Sequence, residues 1–209
     1  MALGLVATLS ALVLRLLVSS TKGSYDSARN GVIQMAAKVA FLDRVLAGYG
    51  PEAAEARSRF HDAVREAVHQ MWPGEAGRPA HLAPNIEVGN VFYFAVQHLS
   101  PNDDTQRKAK ELATDLATDL GQLRSLLVAQ SVPSVSVPIL IILLSWLVII
   151  FLGFSVLAPS NPTALIALLL SAFAVSGAIF LILELDQPFG GVIGISCEPM
   201  TNALNQFAK

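Results

Sequence analysis

The sequence is poor in the residues that carry most enzyme and metal chemistry. Its 209 residues include one cysteine, Cys197, so no internal disulfide can form, and nothing around this thiol indicates reactivity. No phosphate-binding glycine loop, nucleophile elbow or catalytic triad is recognisable. We therefore expect no enzyme, no metal and no cofactor. The histidines lack metal-ligand spacing and are interpreted as ordinary surface or packing residues: His61, His69, His81 and His98.

Charge is scarce as well. Charged residues make up 14% of the chain, whereas a soluble domain has about 25%, and the mean hydropathy is +0.54. The shortage of charged residues is concentrated in two regions, the N-terminus and residues 132–183, which is typical of a membrane protein. The net charge of −2 argues neither for nor against a nucleic-acid partner. We expect membrane lipid as a partner and no nucleic acid.

Three apolar segments predict three membrane spans. Residues 164–183 carry no charge and are long enough to cross about 30 Å of hydrocarbon as a helix. Residues 139–157 precede them, and the short turn at 158–162 joins the two runs into a hairpin over 132–187. The first segment, residues 1–19, is interrupted by Arg15. A signal peptide carries its positive charge before the apolar core, so we favour a transmembrane helix here, with Arg15 reaching the interface.

The polar region at 20–131 is predicted to form a helical domain. Apolar residues recur at helical spacing over 25–47, and a second helix is predicted over 51–71. Residues 73–84 contain three prolines and two glycines and are predicted to be a loop. Residues 86–99 favour a helix, although a strand is an alternative.

A further helix is predicted to start at Ser100, with that serine as its cap and Pro101 in its first turn. A leucine stripe at helical spacing follows. We interpret the stripe as packing against the other helices of this region, and a self-associating coiled coil is the alternative. The stripe consists of Leu112, Leu116, Leu120, Leu123 and Leu127.

Small side chains line one face of the third span. Their spacings of four, three and four residues allow another helix to approach closely. We predict a helix-packing face rather than a pore lining. Its residues are Ala167, Ser171, Ala174 and Ala178.

The third span ends in two acids, Glu184 and Asp186, followed by Pro188 and a glycine pair. A negative charge is unfavourable at a helix C-terminus, because the helix dipole already makes that end negative. We interpret the acids as a structural pair held by Arg or Lys from the polar helices or by open backbone amides of the glycine turn. The alternative is a cation or proton site at the mouth of a pathway.

The distribution of basic residues predicts the topology. Of 14 Lys and Arg residues, all but Arg15 and Lys209 lie between the first and second spans. Positive charge near span ends favours the cytoplasm. We therefore expect the helical domain and the C-terminal segment, residues 188–209, to be cytoplasmic, and the turn at 158–162 to lie outside.

The residues around the end of the third span resemble a bacterial membrane family called bestrophin-like. The matching pieces are the small-residue span, ELDQPFG at 184–190 and ISCEP at 195–199, and SSTKGSYDSARN at 19–30 resembles the family's span exit. The resemblance implies a distant likeness to bestrophins, which are pentameric anion channels. Members usually have four spans, one of which precedes the span that corresponds to the first segment here. No bestrophin pore-neck or calcium-clasp residue has a match.

Together these patterns predict an all-α membrane protein with about three transmembrane helices and a cytoplasmic helical domain. The resemblance implies an oligomeric integral protein of the bacterial inner membrane that acts as an ion channel, with further copies of itself and an inorganic ion as partners. The alternative is a membrane-tethered scaffold or sensor whose helical domain binds a partner.

Overall fold

The computed structural model describes residues 2–72, 86–131, 135–157 and 162–207, and all regular structure in these ranges is helical. The predicted all-α class is therefore confirmed. The predicted loop at 73–84 and the turn residues 158–161 lie outside the described residues. The described α-helices are α1 (Ala2–Tyr49), α2 (Ala54–Met71), α3 (Ile86–Gln97), α4 (Asp104–Gln130), α5 (Val137–Leu157), α6 (Pro162–Leu185) and α7 (Glu198–Gln206).

The chain divides into two compact units. The first, here called the span unit, comprises residues 1–26 and 133–193. The second, here called the helical unit, comprises residues 27–132 and 194–209.

Among the described residues, three helices are long and apolar enough to cross a membrane: α1, α5 and α6, with mean hydropathies of 1.7, 2.9 and 2.6 over an 18-residue stretch of each. Helices α5 and α6 pack against each other, and Leu143, Ile150 and Ile182 are their buried residues. Large apolar side chains nevertheless stay exposed, among them Val156 at 84% and Phe173 at 81%. An apolar surface of this extent fits hydrocarbon, where it costs nothing, rather than water.

Helix α1 joins the predicted first span and the predicted helix at 25–47 into one element of 48 residues. At 1.5 Å per residue it is about 72 Å long, more than twice the hydrocarbon thickness. The apolar part of α1 is the stretch at 2–18, and residues 27–49 belong to the helical unit. Between them, an ion pair of 2.7 Å from Lys22 to Asp26 supports the helix at i,i+4 spacing.

Hydroxyl groups in the apolar helices bond to their own backbone. Thr21 donates to the carbonyl of Leu17 at 2.9 Å, and Ser10 donates to that of Val6 at 2.9 Å. Both hydroxyls are buried, and these bonds satisfy them within their own helix.

The helical unit has an apolar core. Helix α2 packs against α3 and α7, and α3 packs against α4. The Phe60 and Phe92 rings lie 4.9 Å apart, and a Cβ added at Gly31 would lie 2.8 Å from Leu127, so α1 and α4 approach closely there. The predicted apolar stripe of α1 is buried in this unit: Val32, Met35, Val39, Leu42 and Leu46.

Helix α4 begins later than predicted. The serine cap at Ser100 is wrong, because the cap is Asp103. Asp103 has an extended backbone, and its carboxylate accepts from the Gln106 N–H at 2.7 Å. This bond satisfies one of the free N–H groups of the first turn, which a serine three residues earlier does not reach.

Side chains of α4 also hold the ends of other helices. The Gln106 amide donates to the Tyr49 carbonyl at the end of α1, at 3.1 Å. Lys110 donates to the carbonyls of Gln97 and Leu99, at 2.6 and 2.8 Å, and so covers the C-terminus of α3.

We expect Asp103→Ala to destabilise the helical unit by about 1 kcal/mol, because the α4 cap is lost. Thermal unfolding in mild detergent measures the effect. The matched control is Asp104→Ala, whose side chain is 83% exposed in an ion pair with Arg107, and it should change stability by less than about 0.5 kcal/mol. Equal effects of the two substitutions would contradict the capping role of Asp103.

Candidate functional site

The predicted acidic pair lies where α6 ends. Glu184 is in the last turn of the helix, and its carboxylate accepts from the backbone N–H groups of Val192 and of Ile193, the latter at 2.9 Å. Among the described residues no Lys or Arg forms an ion pair with Glu184. The sequence suggested either basic side chains or backbone amides as partners of the acids. Glu184 accepts hydrogen bonds from the backbone amides that follow the glycine pair.

Asp186 is buried and lies just past the helix. Its carboxylate accepts from the backbone N–H of Val135, at 3.2 and 3.3 Å, in the segment that leads into α5. Asp186 therefore links the exit of α6 to the entry of α5, whereas Glu184 links α6 to the loop that follows it. The two carboxylates point to different backbone segments and share no described partner.

Gly191 makes the close approach to Glu184 feasible. Its φ is +76°, a left-handed conformation that glycine adopts without strain. A Cβ at this position would lie 2.7 Å from the carboxyl carbon of Glu184, inside contact distance. Gly190 differs, because a Cβ there would meet only ordinary contact with Gln187 at 3.7 Å. The second glycine of the pair is therefore the one that the fold requires.

Most of the predicted helix-packing face is left uncovered by the part of the chain that the structure describes. Ala167, Ser171 and Ala174 are exposed, and Ala178 is half-buried. The Ser171 hydroxyl donates to the Ala167 carbonyl at 2.8 Å, so the polar group on this face is satisfied within α6. The face is small and apolar, and it is available to lipid or to another helix.

The helical unit holds a buried ionic cluster that the sequence analysis did not identify. Asp43 of α1 is 7% exposed and accepts two hydrogen bonds from the Arg57 guanidinium, at 2.7 and 2.9 Å. Nε2 of His61 lies 2.6 Å from the same carboxylate and is the donor, because an ionised carboxylate only accepts. The His61 ring stacks on Phe207, with centroids 4.1 Å apart and planes 4° apart.

The electrostatics of this cluster favour its charged form. Burial raises the pKa of Asp43, but the hydrogen bonds and charges of Arg57 and His61 outweigh it, so the pKa lies below its usual value. The hydrogen bond to Asp43 raises the pKa of Arg57. The cluster connects α1 to α2, and His61 also contacts Phe207, the residue that follows α7.

A signal for this cluster existed in the sequence. Asp43 lies on the helix face that carries Val39 and Leu46, where an acid needs a partner. Arg57 and His61 are four residues apart and therefore share a face of α2. Among the described residues no group of three His, Cys, Asp or Glu side chains converges as a metal site.

Comparison with known proteins adds one finding. The sequence model of a family described as Bestrophin-like domain matches residues 1–200, which include α1, α5 and α6 in full. No curated protein and no solved structure matches the chain.

We expect Gly191→Ala to destabilise the span unit by about 1–3 kcal/mol, because alanine strains the left-handed backbone and displaces the Glu184 carboxylate. Gly190→Ala is the control, with an effect below about 1 kcal/mol. Thermal unfolding in mild detergent compares the two variants. An equal loss for both would show that the glycine conformation does not matter.

We expect Asp43→Asn to destabilise the helical unit by about 2–3 kcal/mol, because Arg57 and His61 lose their anionic partner. The control is Asp26→Asn, which removes an exposed carboxylate paired with Lys22 and should cost below about 1 kcal/mol.

The pH dependence of this difference has a fixed sign. The folded pKa of Asp43 is lowered, so its contribution is fully present above the unfolded value of about 3.9 and is lost as the pH falls through the folded pKa. The stability difference between wild type and Asp43→Asn should be constant at neutral pH and shrink below about pH 4. A difference that grows on acidification would contradict an ionised Asp43.

Proposed function

The chain belongs to the bestrophin-like domain family, and from that premise we propose that it assembles into an oligomer that conducts an inorganic ion across a membrane. The observation that carries the proposal is the family match itself, because it covers the three helices that are apolar enough to cross a membrane. The likeness to bestrophins, which are anion channels, supports a channel.

The composition of α5 and α6 supports passive conduction. Before Glu184, neither helix contains an acid, a base or a histidine. Proton- or ion-coupled transporters place such groups within the membrane, whereas a channel does not require them. Glu184 and Asp186 accept hydrogen bonds from backbone N–H groups, which favours a structural role for both acids at the end of α6.

The exposed small-residue face supports assembly. Helices in lipid associate through close packing, and small side chains permit it. Ala167, Ser171 and Ala174 offer such a surface on α6, and all three are exposed within the described residues. We infer that a second copy packs there and that ions pass along an axis between subunits.

The basic middle of the chain supports an orientation. Twelve of its 14 Lys and Arg residues lie between the first and second spans, so we propose that the helical unit is cytoplasmic and that the membrane is the bacterial inner membrane. The alternative function is a membrane-tethered scaffold or sensor. Exposed apolar residues on α3, Val91 and Phe94, favour it as a second candidate.

The test is assembly followed by ion flux. We expect the purified protein in mild detergent to have the mass of a closed oligomer, and liposomes that contain it to release chloride or potassium along a gradient. Ala174→Leu should weaken assembly by about 1–3 kcal/mol and reduce flux, because the larger side chain overpacks the face.

The control is Phe173→Leu, which alters an 81% exposed residue of the same helix and should leave both measurements unchanged. Monomeric protein without flux for either ion would contradict the channel and favour the scaffold. An unaffected oligomer in Ala174→Leu would place the subunit contact elsewhere.

A further inference from the structure

A large cavity that is open to solvent lies on the helical unit. Its volume is about 1030 Å³, at the upper end of the range for small-molecule sites. Five helices contribute to its lining, namely α1, α2, α3, α4 and α7. The apolar residues of the wall include Met35, Val39, Phe60, Val64, Phe92 and Met200.

Small residues create this space. Helix α2 presents Ala63 and Ala67 to it, and α4 presents Ala117 and Gly121. A Cβ added at Gly121 would meet no atom within 4 Å, so the space beside this helix is open. A glycine in the middle of a helix costs stability, and no tight contact at Gly121 accounts for its presence.

One charged side chain, Arg124, occurs among the described residues of the lining. Its guanidinium donates to the Gln70 side-chain carbonyl at 2.9 Å, and Gln70 in turn donates to Glu66 at 2.7 Å. No acid in the described part of the chain forms an ion pair with Arg124. Burial lowers the pKa of Arg124, and the charge of Glu66 offsets this only in part. A guanidinium has five N–H groups, so donors remain for an anion.

We propose that this cavity binds a long-chain fatty acid, with its acyl chain between α2 and α4 and its carboxylate on Arg124. A single cation matches one carboxylate, and the planar guanidinium suits that group. The walls are mostly apolar, as an acyl chain requires, although Thr118, Gln122 and Ser125 also line the cavity. A carboxylate ligand would add a second anion beside the half-buried Arg124, whose burial Glu66 offsets only in part, whereas a neutral lipid would not. The proposal does not depend on ion conduction. A bound fatty acid would allow either a channel or a scaffold to respond to lipid.

The test uses the full chain in vesicles with a photoactivatable palmitate that carries a diazirine on its acyl chain. We expect cross-links on the cavity residues of α2 and α4, mapped by mass spectrometry. Gly121→Leu fills the cavity while favouring the helix, and it should reduce these cross-links about tenfold. Gly48→Leu is the matched control, because Gly48 is helical, has no atom within 4 Å of an added Cβ and does not line the cavity; labelling should persist.

The head group is tested by competition. Palmitate should displace the probe from wild-type protein about tenfold better than hexadecanol, because only palmitate pairs with Arg124. Arg124→Gln should abolish this preference, Arg124→Lys should retain part of it, and Arg65→Gln, which alters a 73% exposed arginine of α2, should retain all of it. The proposal is overturned if cross-links are confined to the span unit, if Gly121→Leu labels like wild type, or if hexadecanol competes as well as palmitate.

Discussion

A backbone that leaves a helix needs partners for its free polar groups, and the end of α6 is built around that constraint. After Leu185 the backbone leaves the helix, and its N–H groups need acceptors. Glu184 supplies one to Val192 and Ile193, and Asp186 supplies one to Val135. Two acids at the unfavourable end of the helix dipole are thus compensated by backbone donors. The acidic motif, its glycine turn and the start of α5 form one connected structure.

The helical unit solves the same problem with different residues. Its helix ends are satisfied by Asp103, Gln106 and Lys110, which bond to their own or neighbouring backbones. The buried carboxylate of Asp43 is paired with Arg57 and His61 rather than with backbone. A pair of this kind adds less net stability than its geometry suggests, since desolvation opposes it, but it fixes which faces of α1 and α2 meet.

Sequence predicts the elements well where a single physical property decides them. The apolar lengths of α5 and α6 exceed the hydrocarbon thickness, so these spans could be identified from composition alone. The start of α4 depends on which polar residue reaches a free N–H, and both Ser100 and Asp103 are acceptable by type. His61 and Asp43 are far apart along the chain, and their contact depends on how two helices cross, which residue spacing does not encode.

The small-residue face of α6 raises a related question, namely whether a second subunit or lipid covers it. Exposure alone does not identify a subunit contact there, because lipid tails cover apolar side chains as well as protein does. Residue size along the whole helix does not separate the two cases, because Ala172 and Ala178 are half-buried whereas Leu169 and Phe173 are exposed. The spacing of the small residues is the more specific observation. Ala167, Ser171 and Ala174 follow one another at four and three residues, so they share one strip of α6 that another helix can approach closely, and this favours assembly through that strip.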